Sequence, residues 1–322
     1  MMELLLVLLI STAASFFLTW SVIPRLKKAG MVGNDINKPA RPEVAEMGGL
    51  SIIGGVSAGM LAAIFLQTFF GLQFNLVFLM AALITIHSIA LIGLADDIID
   101  MPQSVKALMP LFAAIPLVVV RAAGSTAMTI PFLGVVDFGV LYILVLIPIG
   151  IAVSSNLTNM LAGFNGMESG MGIVMFGAAA ILAAQTGKSE MLIISLSMLG
   201  ALLGFFWFNK YPSKVFPGDV GNLAIGGALA CAVIIGNLES AGAILVIPYV
   251  IDFFIKAKNR FPSRGWGGIF GADGKLHAPD KPISFAQHVL KLSGGMTESG
   301  LVLFFIALEG IFAAIALALF LR

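Results

Sequence analysis

The feature that most constrains this chain is a series of long apolar runs separated by polar loops. A helix that crosses the hydrocarbon core of a bilayer needs about 20 mostly apolar residues. Ten segments approach that length: 2–23, 49–71, 74–95, 105–121, 138–155, 169–186, 190–208, 222–237, 241–256 and 299–320. They predict an all-α integral membrane protein with about ten transmembrane helices, in which the two short segments, 105–121 and 222–237, pack inside the bundle.

Composition agrees with a membrane protein. Hydrophobic residues make up 59% of the chain and charged residues 11%, whereas soluble domains contain about 25% charged residues. A net charge of +1 argues against nucleic acid as a partner. The single cysteine, Cys231, cannot form a disulfide within the chain. Because Glu3 precedes the first apolar run and no basic segment does, we expect that run to be a retained helix rather than a signal peptide.

Basic residues are unevenly divided between the two sides of the membrane. The ten spans place five loops on one face: 24–48, 96–104, 156–168, 209–221 and 257–298. That face carries 15 of the 18 Lys and Arg residues, so the positive-inside rule predicts that it is cytoplasmic and that both termini lie outside. We therefore expect a single transmembrane domain over 1–322. Its longest outer connection, 122–138, is predicted to form a hairpin around Gly134.

Three carboxylates follow the third span, in the sequence Asp96-Asp97-Ile-Ile-Asp100. If the helix continues, Asp96 and Asp100 share one face because they are four residues apart. Like charges this close repel by roughly 1 kcal/mol per pair even in water-like surroundings. A divalent cation or nearby basic side chains would offset the repulsion. The segment is therefore a candidate site, and the alternative is a helix end with solvated acids.

A second loop is rich in amides and glycines. Asn156 and Asn159 are three residues apart, which places them on one helical face, and Gly163 and Gly166 permit a tight turn. Amide oxygens suit a hard cation, and exposed backbone N–H groups suit a phosphate or the edge of a base. The alternative is an ordinary helix C-terminus capped by Asn and Gly.

Two more loops on the same face add a carboxylate, an aromatic ring and cations. Asp219 follows Phe216-Pro-Gly just before an apolar run, and it is either an N-cap or a metal ligand beside a ring that stacks on a base. Lys258 and Arg260 lie in a basic run that either binds phosphate or anchors the cytoplasmic side. Together the four loops offer what phosphoryl transfer from a nucleotide diphosphate requires.

These motifs resemble those of the polyprenyl-phosphate N-acetylhexosamine-1-phosphate transferases. This family includes the bacterial phospho-MurNAc-pentapeptide transferase and the eukaryotic UDP-GlcNAc–dolichyl-phosphate GlcNAc-1-phosphate transferase. The resemblance covers nearly the whole chain and rests on the motifs at 96–100, 156–166 and 216–219. Bacterial members usually carry Asp-Gly where this chain has Ala162-Gly163. The chain is therefore most similar to the dolichyl branch, and its compact length suggests an archaeal or other prokaryotic member.

The resemblance implies a metal and a set of catalytic residues. Asp219 and Asn159 would bind Mg²⁺, or Mn²⁺ in its place, and the metal would bridge the diphosphate of UDP-GlcNAc. Asp96 or Asp97 would orient or deprotonate the lipid phosphate. The residues implied to take part in catalysis are Asp96, Asp97, Asp100 and Lys106.

The resemblance also implies contacts with the nucleotide sugar. Phe216 would stack on uracil, the Gly163 backbone and Asn165 would read its edge, and Glu46 would meet the ribose. The cationic side chains would hold phosphate oxygens. The full set implied to bind substrate is Glu46, Asn156, Gly163, Asn165, Phe216, Lys258 and Arg260.

The implied reaction is direct attack of a polyprenyl or dolichyl phosphate on the β-phosphorus, which releases UMP and leaves a GlcNAc-diphospho-lipid. A two-step route through an aspartyl nucleophile is the mechanistic alternative. The same chemistry on another UDP-N-acetylhexosamine or on UDP-MurNAc-pentapeptide is the alternative in substrate. A cation-coupled secondary transporter, which would have paired inverted halves and mid-membrane carboxylates, is the non-enzyme alternative.

The expected location is the cell membrane, in contact with membrane lipids, with the active site facing the cytoplasm. A homodimer formed through small-residue helix faces is a further expectation. His87 is predicted to be a packed, hydrogen-bonded helix residue, and His277 a solvated loop residue. Glu309 lies in the middle of the last span, where an ionisable group is costly and is therefore a functional candidate.

Overall fold

Long helices make up most of the structure. It is a computed structural model that describes residues 2–122, 124–131, 133–262 and 264–321. Among these residues, nine helices are long and apolar enough to cross a membrane, and a bent pair brings the number to as many as ten. This agrees with the predicted number of spans. The unbroken ones are α1 (Met2–Lys28), α2 (Gly49–Phe70), α3 (Leu76–Ile99), α7 (Met167–Thr186), α8 (Ser189–Asn209), α9 (Gly218–Gly236) and α13 (Glu298–Phe320).

Three other spans are each built from two helical pieces. The pairs are α4 (Gln103–Ala113) with α5 (Ile115–Arg121), a π-helix (Tyr142–Leu146) with α6 (Ile147–Met160), and α10 (Glu239–Leu245) with α11 (Ile247–Lys258). The second piece of each pair has Pro116, Pro148 or Pro248 as its second residue. Proline has no N–H to donate and disfavours a helical residue before it, so it starts a helix more readily than it continues one. The last pair bends by 62°.

Helix α9 lies in the centre of the bundle, where every residue from Val220 to Gly236 is buried. Its small residues allow neighbouring helices to approach closely. At Gly226 an added Cβ would overlap the Ser154 carbonyl of α6, and the Ser154 hydroxyl donates to the Gly226 carbonyl at 2.7 Å. The predicted burial of 222–237 is thus confirmed.

The α4–α5 span lies at the surface of the bundle. Phe112 is 72% exposed and Val119 is 65% exposed, so the predicted burial of 105–121 is wrong. Its prolines serve to divide the span, not to fit it into a crowded interior. One end of α4 nevertheless turns inward, because Lys106 is buried.

The loops contain short elements. The predicted hairpin around Gly134 is confirmed as β3 (Ala127–Ile130) paired with β4 (Gly134–Asp137), with Gly134 at a left-handed φ of 85°. Sequence analysis did not predict the remaining ones, which are β1 (Val32–Asn34) paired with β2 (Glu43–Ala45), β5 (Ile269–Phe270) paired with β6 (Leu276–His277), and α12 (Phe285–Ser293). Backbone hydrogen bonds join the first loop to the segment before α9, since the Phe216 N–H donates to the Ala45 carbonyl at 2.8 Å.

Two of the three histidines, His87 and His277, and the buried Glu309 have distinct environments. His87 is hydrogen-bonded as predicted, with Nε2 3.0 Å from Ser57 Oγ and Nδ1 2.8 Å from the Leu83 carbonyl. His277 is partly exposed, and its Nε2 lies 3.0 Å from Asp273 Oδ1. Glu309 is fully buried in α13.

Candidate active site

A cavity of about 1210 Å³ lies where α9 begins. Its polar wall is formed by Glu46, Lys106, Asn156, Asn159, Asp219 and Asn222. Its apolar wall is formed by Leu108, Leu111, Ile149, Ala152, Val153, Val250, Phe253 and Phe254 of α4, α6 and α11. The apolar wall continues to the outer surface of the bundle, because Leu108 is 57% exposed and Phe254 is 66% exposed. The cavity therefore joins a polar chamber to an apolar groove.

Lys106 lies between two carboxylates at the polar end. Its Nζ is 2.7 Å from Asp96 Oδ2 and also contacts Asp219 Oδ2. The terminal amide of Asn159 contacts both Asp219 and Lys106. One of its atoms lies 3.0 Å from Asp219 Oδ1, and the other lies 3.1 Å from Lys106 Nζ. An amide nitrogen facing the carboxylate and an oxygen facing the ammonium satisfies both contacts. The structure thus brings together four of the predicted residues from three helices and the start of a fourth.

The three predicted acids of the first motif point in different directions. Asp96 faces Lys106, whereas both oxygens of Asp97 accept hydrogen bonds from the backbone at the start of α9. Asp100 is exposed and has a left-handed φ of 49°, because α3 ends at Ile99. The prediction that Asp100 shares a helical face with Asp96 is therefore wrong. Neither Asp96 nor Asp97 is among the residues that line the cavity, but each contacts one that is, Lys106 or Asp219.

Asp219 lies in the first turn of α9, and the residue before the helix is Pro217. Asp219 is therefore not the N-cap of this helix, which was the alternative to a metal ligand, and its carboxylate points to Lys106 and Asn159. Asp97 from α3 accepts the hydrogen bonds of the N–H groups that a cap would normally bind. The Asp219 side chain is thereby left for the cavity.

The ligand atoms around Asp219 fit a hard divalent cation. Magnesium prefers oxygen ligands and usually takes one or two carboxylates together with substrate phosphates. Asp219 is 20% exposed and has the Asn159 amide beside it. Next to Asn159 lies Asn222, whose buried Oδ1 has no hydrogen-bond partner within the described part of the chain. Because the described residues contain no group of three or more His, Cys, Asp or Glu side chains suited to a metal, substrate oxygens would complete the coordination.

Two predicted nucleotide contacts, Glu46 and Phe216, line the same cavity, as does Asn156. Glu46 is half-buried, and its burial raises the pKa of the carboxyl, with the nearby charge of Asp97 raising it further. Phe216 is held through its backbone by the first loop. An aromatic ring and a carboxyl with a raised pKa thus lie within one chamber.

The pair predicted to read the base makes other contacts. The Gly163 N–H donates to Glu168 Oε1, and Asn37 Nδ2 donates to the Gly163 carbonyl at 2.9 Å. Asn165 is only 3% exposed, and its Nδ2 donates to Asp35 Oδ2 at 3.1 Å. Gly163 still lines the cavity, whereas Asn165 does not and its amide is held by buried loop contacts, so its contact with a base stays a prediction.

A second basic residue that faces the cavity, Lys256, lies two positions before Lys258 and four before Arg260. Lys258 and Arg260 are exposed at and beyond the end of α11 and are not among the residues that line the cavity, so their contact with phosphate stays a prediction. Lys256 is 7% exposed and lines the cavity, with Nζ 2.9 Å from Asp252 Oδ2 and donating to the Met160 carbonyl. The signal in the sequence was the spacing of four between an acid and a base within an apolar run.

Sequence analysis also missed the part of the last loop that closes over Gly163. The ring of Trp266 occupies the space that a side chain at Gly163 would need, and Gly163 has a left-handed φ of 116°. Trp266 lines the cavity, and its carbonyl accepts a hydrogen bond from Ser284 Oγ at 3.1 Å. A lone tryptophan among glycines was the available signal.

A buried ion-pair network joins the loops around the site and was not predicted. Lys38 Nζ lies 2.9 Å from Asp35 Oδ2, contacts Glu298 Oε2 and lies 4.7 Å from the ring centre of Tyr211. Glu298 Oε1 accepts from the Asn165 N–H at 2.8 Å. The network ties the first loop and the glycine turn to the start of α13.

Comparisons with known proteins agree with this chemistry. The model of glycosyl transferase family 4 matches residues 78–237. A protein of Saccharolobus solfataricus, provisionally named as a UDP-N-acetylglucosamine–dolichyl-phosphate N-acetylglucosaminephosphotransferase, is 39% identical over 99% of this chain and 97% of its own length. The enzyme of that name from Dictyostelium discoideum is 25% identical over 91% of the chain and 83% of its own length.

A bacterial relative is similar as well. The phospho-N-acetylmuramoyl-pentapeptide-transferase of Halalkalibacterium halodurans is 32% identical over 80% of this chain and 86% of its own length. The region that the family model matches includes Asp96, Lys106, Asn159 and Asp219. The chain therefore belongs to glycosyl transferase family 4, and it is a phosphoglycosyl transferase that moves a sugar-1-phosphate onto a polyprenyl phosphate.

Proposed function

We propose that this protein transfers GlcNAc-1-phosphate from UDP-GlcNAc to a polyprenyl or dolichyl phosphate and releases UMP. The observation that carries the proposal is the cluster of Lys106, Asp96, Asn159 and Asp219 at the junction of the polar chamber with the apolar groove. The choice of sugar and lipid is supported by the names of two relatives that match nearly the whole chain. The Ala162-Gly163 sequence supports it too.

The junction of the two walls is formed along single helices. On α4, Lys106 is followed by Leu108 and Leu111, and on α6, Ile149 and Val153 precede Asn159 in the cavity wall. A lipid phosphate placed at Lys106 would therefore have its chain beside the apolar groove. In this position the phosphate head group contacts the polar wall, and the isoprenoid chain packs against the apolar wall formed by α4, α6 and α11.

Lys106 is suited to hold phosphate oxygens. Its ammonium faces the polar end of the cavity, and a charged amine bound to phosphate forms a strong hydrogen bond. Asp96 fixes the position of this amine from behind, since it does not line the cavity. The role of Asp96 is thus to orient Lys106 rather than to touch the substrate.

The metal proposed for the site is Mg²⁺, with Mn²⁺ as a substitute. Asp219 and Asn159 would hold it, and when bound it would neutralise the diphosphate charge that develops during transfer. Lys256 and Glu46 are further polar groups of the wall that would contact the donor. The ring of Phe216 would stack on the base.

The reaction proposed is a single displacement. The lipid phosphate oxygen bonds to the β-phosphorus, the bond from that phosphorus to the bridging oxygen breaks, and UMP leaves with this oxygen. A phosphate monoester has a second pKa of about 6, so the nucleophile is already mostly the dianion at neutral pH. No carboxylate has to accept a proton, which agrees with the positions of Asp96 and Asp97 behind Lys106 and Asp219.

The side of the membrane is part of the proposal. The loops that surround the cavity are those on the face with 15 of the 18 basic residues. The positive-inside rule supports a cytoplasmic active site.

The test is release of UMP by the purified protein from UDP-GlcNAc, a short polyprenyl phosphate and Mg²⁺. We expect UMP only when both the lipid and the metal are present, and we expect Asp219→Asn to abolish it. Asp280→Asn, at an exposed position of the last loop, is the matched control and should retain the activity. Folded protein that forms no UMP from UDP-GlcNAc under these conditions would overturn the proposal.

A second donor is supported by the 32% identity to the bacterial pentapeptide transferase. That donor is UDP-MurNAc-pentapeptide, and it would react by the same displacement. Competition between it, UDP-GlcNAc and other UDP-N-acetylhexosamines distinguishes them. We expect UDP-GlcNAc to give the highest kcat/KM.

A further inference from the structure

We propose that Asp97 is a positioning residue that fixes the start of α9 and thereby holds the Asp219 carboxylate at the cavity. The two adjacent aspartates then have separate tasks, because Asp96 holds Lys106. In this proposal Asp97 neither transfers a proton nor contacts the lipid phosphate. The inference rests on the proposed function for its kinetic consequences but not for its structural ones.

The hydrogen bonds of Asp97 are those of a helix cap supplied by another helix. Its Oδ1 accepts from the N–H of Asp219 at 2.8 Å, and its Oδ2 accepts from the N–H of Val220 at 3.1 Å. The first N–H groups of a helix have no partner within the helix, and a carboxylate there also interacts favourably with the helix dipole. Caps usually come from the residue just before the helix, but that residue is Pro217, which makes no side-chain cap bond.

Two glycines make room for this contact. An added Cβ at Gly93 of α3 would overlap the Asp219 carbonyl, and one at Gly218 would lie 2.6 Å from Asp97 Oδ2. Gly218 also has a left-handed φ of 65°, which a side chain would strain. The close approach of α3 to the start of α9 therefore depends on residues without side chains.

The cap affects the site because Asp97 binds the backbone of the residue whose side chain faces the cavity. The N–H that Asp97 binds belongs to Asp219 itself, whose side chain reaches Lys106 and Asn159. Because the cap fixes the backbone of the proposed metal ligand, its loss would let the carboxylate move away from Asn159. A shift of about 1 Å is enough to lower turnover strongly in a preorganised site.

The first arm of the test is hydrogen exchange measured by mass spectrometry on purified Asp97→Asn, Gly218→Ala and the double variant. Asp97→Asn keeps one acceptor oxygen but loses the charge, and the Gly218→Ala methyl group pushes the carboxylate away. We expect faster exchange in peptides that contain residues 218–222 in both single variants. We expect unchanged exchange in peptides from α13, which serve as an internal control.

The second arm measures the Mg²⁺ concentration that gives half-maximal activity. A lost helix cap corresponds to a change of about five- to tenfold, so we expect that concentration to rise by this factor in each single variant. The KM values for UDP-GlcNAc and the lipid should be unchanged. The double variant should be no worse than the stronger single variant, because both remove one contact.

Two results would overturn the inference. If Asp97 accepts a proton during catalysis, Asp97→Asn would lower kcat while hydrogen exchange at 218–222 and the Mg²⁺ requirement stayed normal. A purely structural Asp97 would lower thermal stability and speed exchange while the folded protein kept its normal Mg²⁺ requirement. If wild-type protein shows no turnover, the proposed function fails by itself, and normal exchange in Asp97→Asn still refutes the cap.

Discussion

Lys106 is the residue on which the polar end of the cavity depends. Its side chain is 10% exposed, and its ammonium is shared by Asp96 and Asp219, which are 10% and 20% exposed. Removing one member of a buried charge cluster leaves the others uncompensated, which costs more than the pair contributes. Charge balance therefore makes this site sensitive to single neutral substitutions.

The different positions of Asp96 and Asp100 give the first prediction. Asp96→Asn should lower kcat by about 10²-fold, because Lys106 loses the carboxylate that orients it. Asp100→Asn should keep activity within about twofold, since Asp100 is exposed beyond the end of α3. Steady-state UMP release checks both variants. Equal losses in the two would contradict the separation of the motif.

The two lysines of α11 give the second prediction. Lys256→Met should lower the free energy of unfolding by about 3 kcal/mol, because Asp252 is fully buried and would lose its counter-charge. Lys258→Met removes a charge from an exposed position and should change stability by less than about 0.5 kcal/mol. Thermal unfolding in detergent measures the difference. Identical melting temperatures of the two variants would show that the ion pair of Lys256 with Asp252 does not contribute to stability.

These residues also show what the sequence could and could not predict. Asp219 and Asn159 were singled out because their types and motifs indicate the chemistry, whereas Lys106 was expected in the site only through the resemblance to the transferase family. That Lys256 faces the cavity, while Lys258 and Arg260 are exposed, could not be predicted because composition does not reveal where a helix ends or which face it buries. The environment of Asp97 depends on a contact between residues 122 positions apart, which no local pattern shows.

At the scale of helices, close packing of α9 against its neighbours is what holds the site. Gly226 lies against α6 and Gly93 against the start of α9. Small residues at such contacts allow backbones to approach where lipid provides no hydrophobic driving force. The positions of Asp219 and Asn159 therefore depend on glycines remote from the chemistry.

This dependence gives a third prediction, with a matched pair of glycines. Gly226→Ala should destabilise the protein by about 1–3 kcal/mol, because the methyl group would overlap the Ser154 carbonyl. Gly177→Ala in α7 should be neutral or stabilising by up to about 1 kcal/mol, because its Cβ would meet open space and Ala favours helix. Melting temperatures in one detergent compare the two. A neutral Gly226→Ala would contradict tight α6–α9 packing.

The helices were predicted in number but not in shape. Bilayer thickness sets the length of an apolar run, so counting runs was sufficient for the spans. The 62° bend between α10 and α11 and the small elements of the last loop depend on tertiary contacts such as Asp252 with the Phe285 N–H at 2.7 Å. Hydropathy carries no information on such contacts.

At the scale of the whole molecule, the distribution of charge predicts the orientation in the membrane. A fourth prediction uses single cysteines in a Cys231→Ala background, since Cys231 is the only native one. Val135→Cys, at a position that is 72% exposed in the β3–β4 hairpin, should react with an impermeant maleimide in intact cells. Lys281→Cys, in the loop after β6, should react only after permeabilisation. The reverse pattern would place the active site outside.

The central claim is that the phosphorus next to the sugar moves to the lipid together with the sugar. The most direct measurement follows UDP-GlcNAc labelled with ³²P at the β-phosphorus during turnover with a polyprenyl phosphate. We predict that the label enters the organic-soluble lipid in a one-to-one ratio with unlabelled UMP. Label that leaves as UDP would indicate transfer of the sugar alone, and label released as water-soluble GlcNAc-1-phosphate would indicate hydrolysis. Either result would contradict the account.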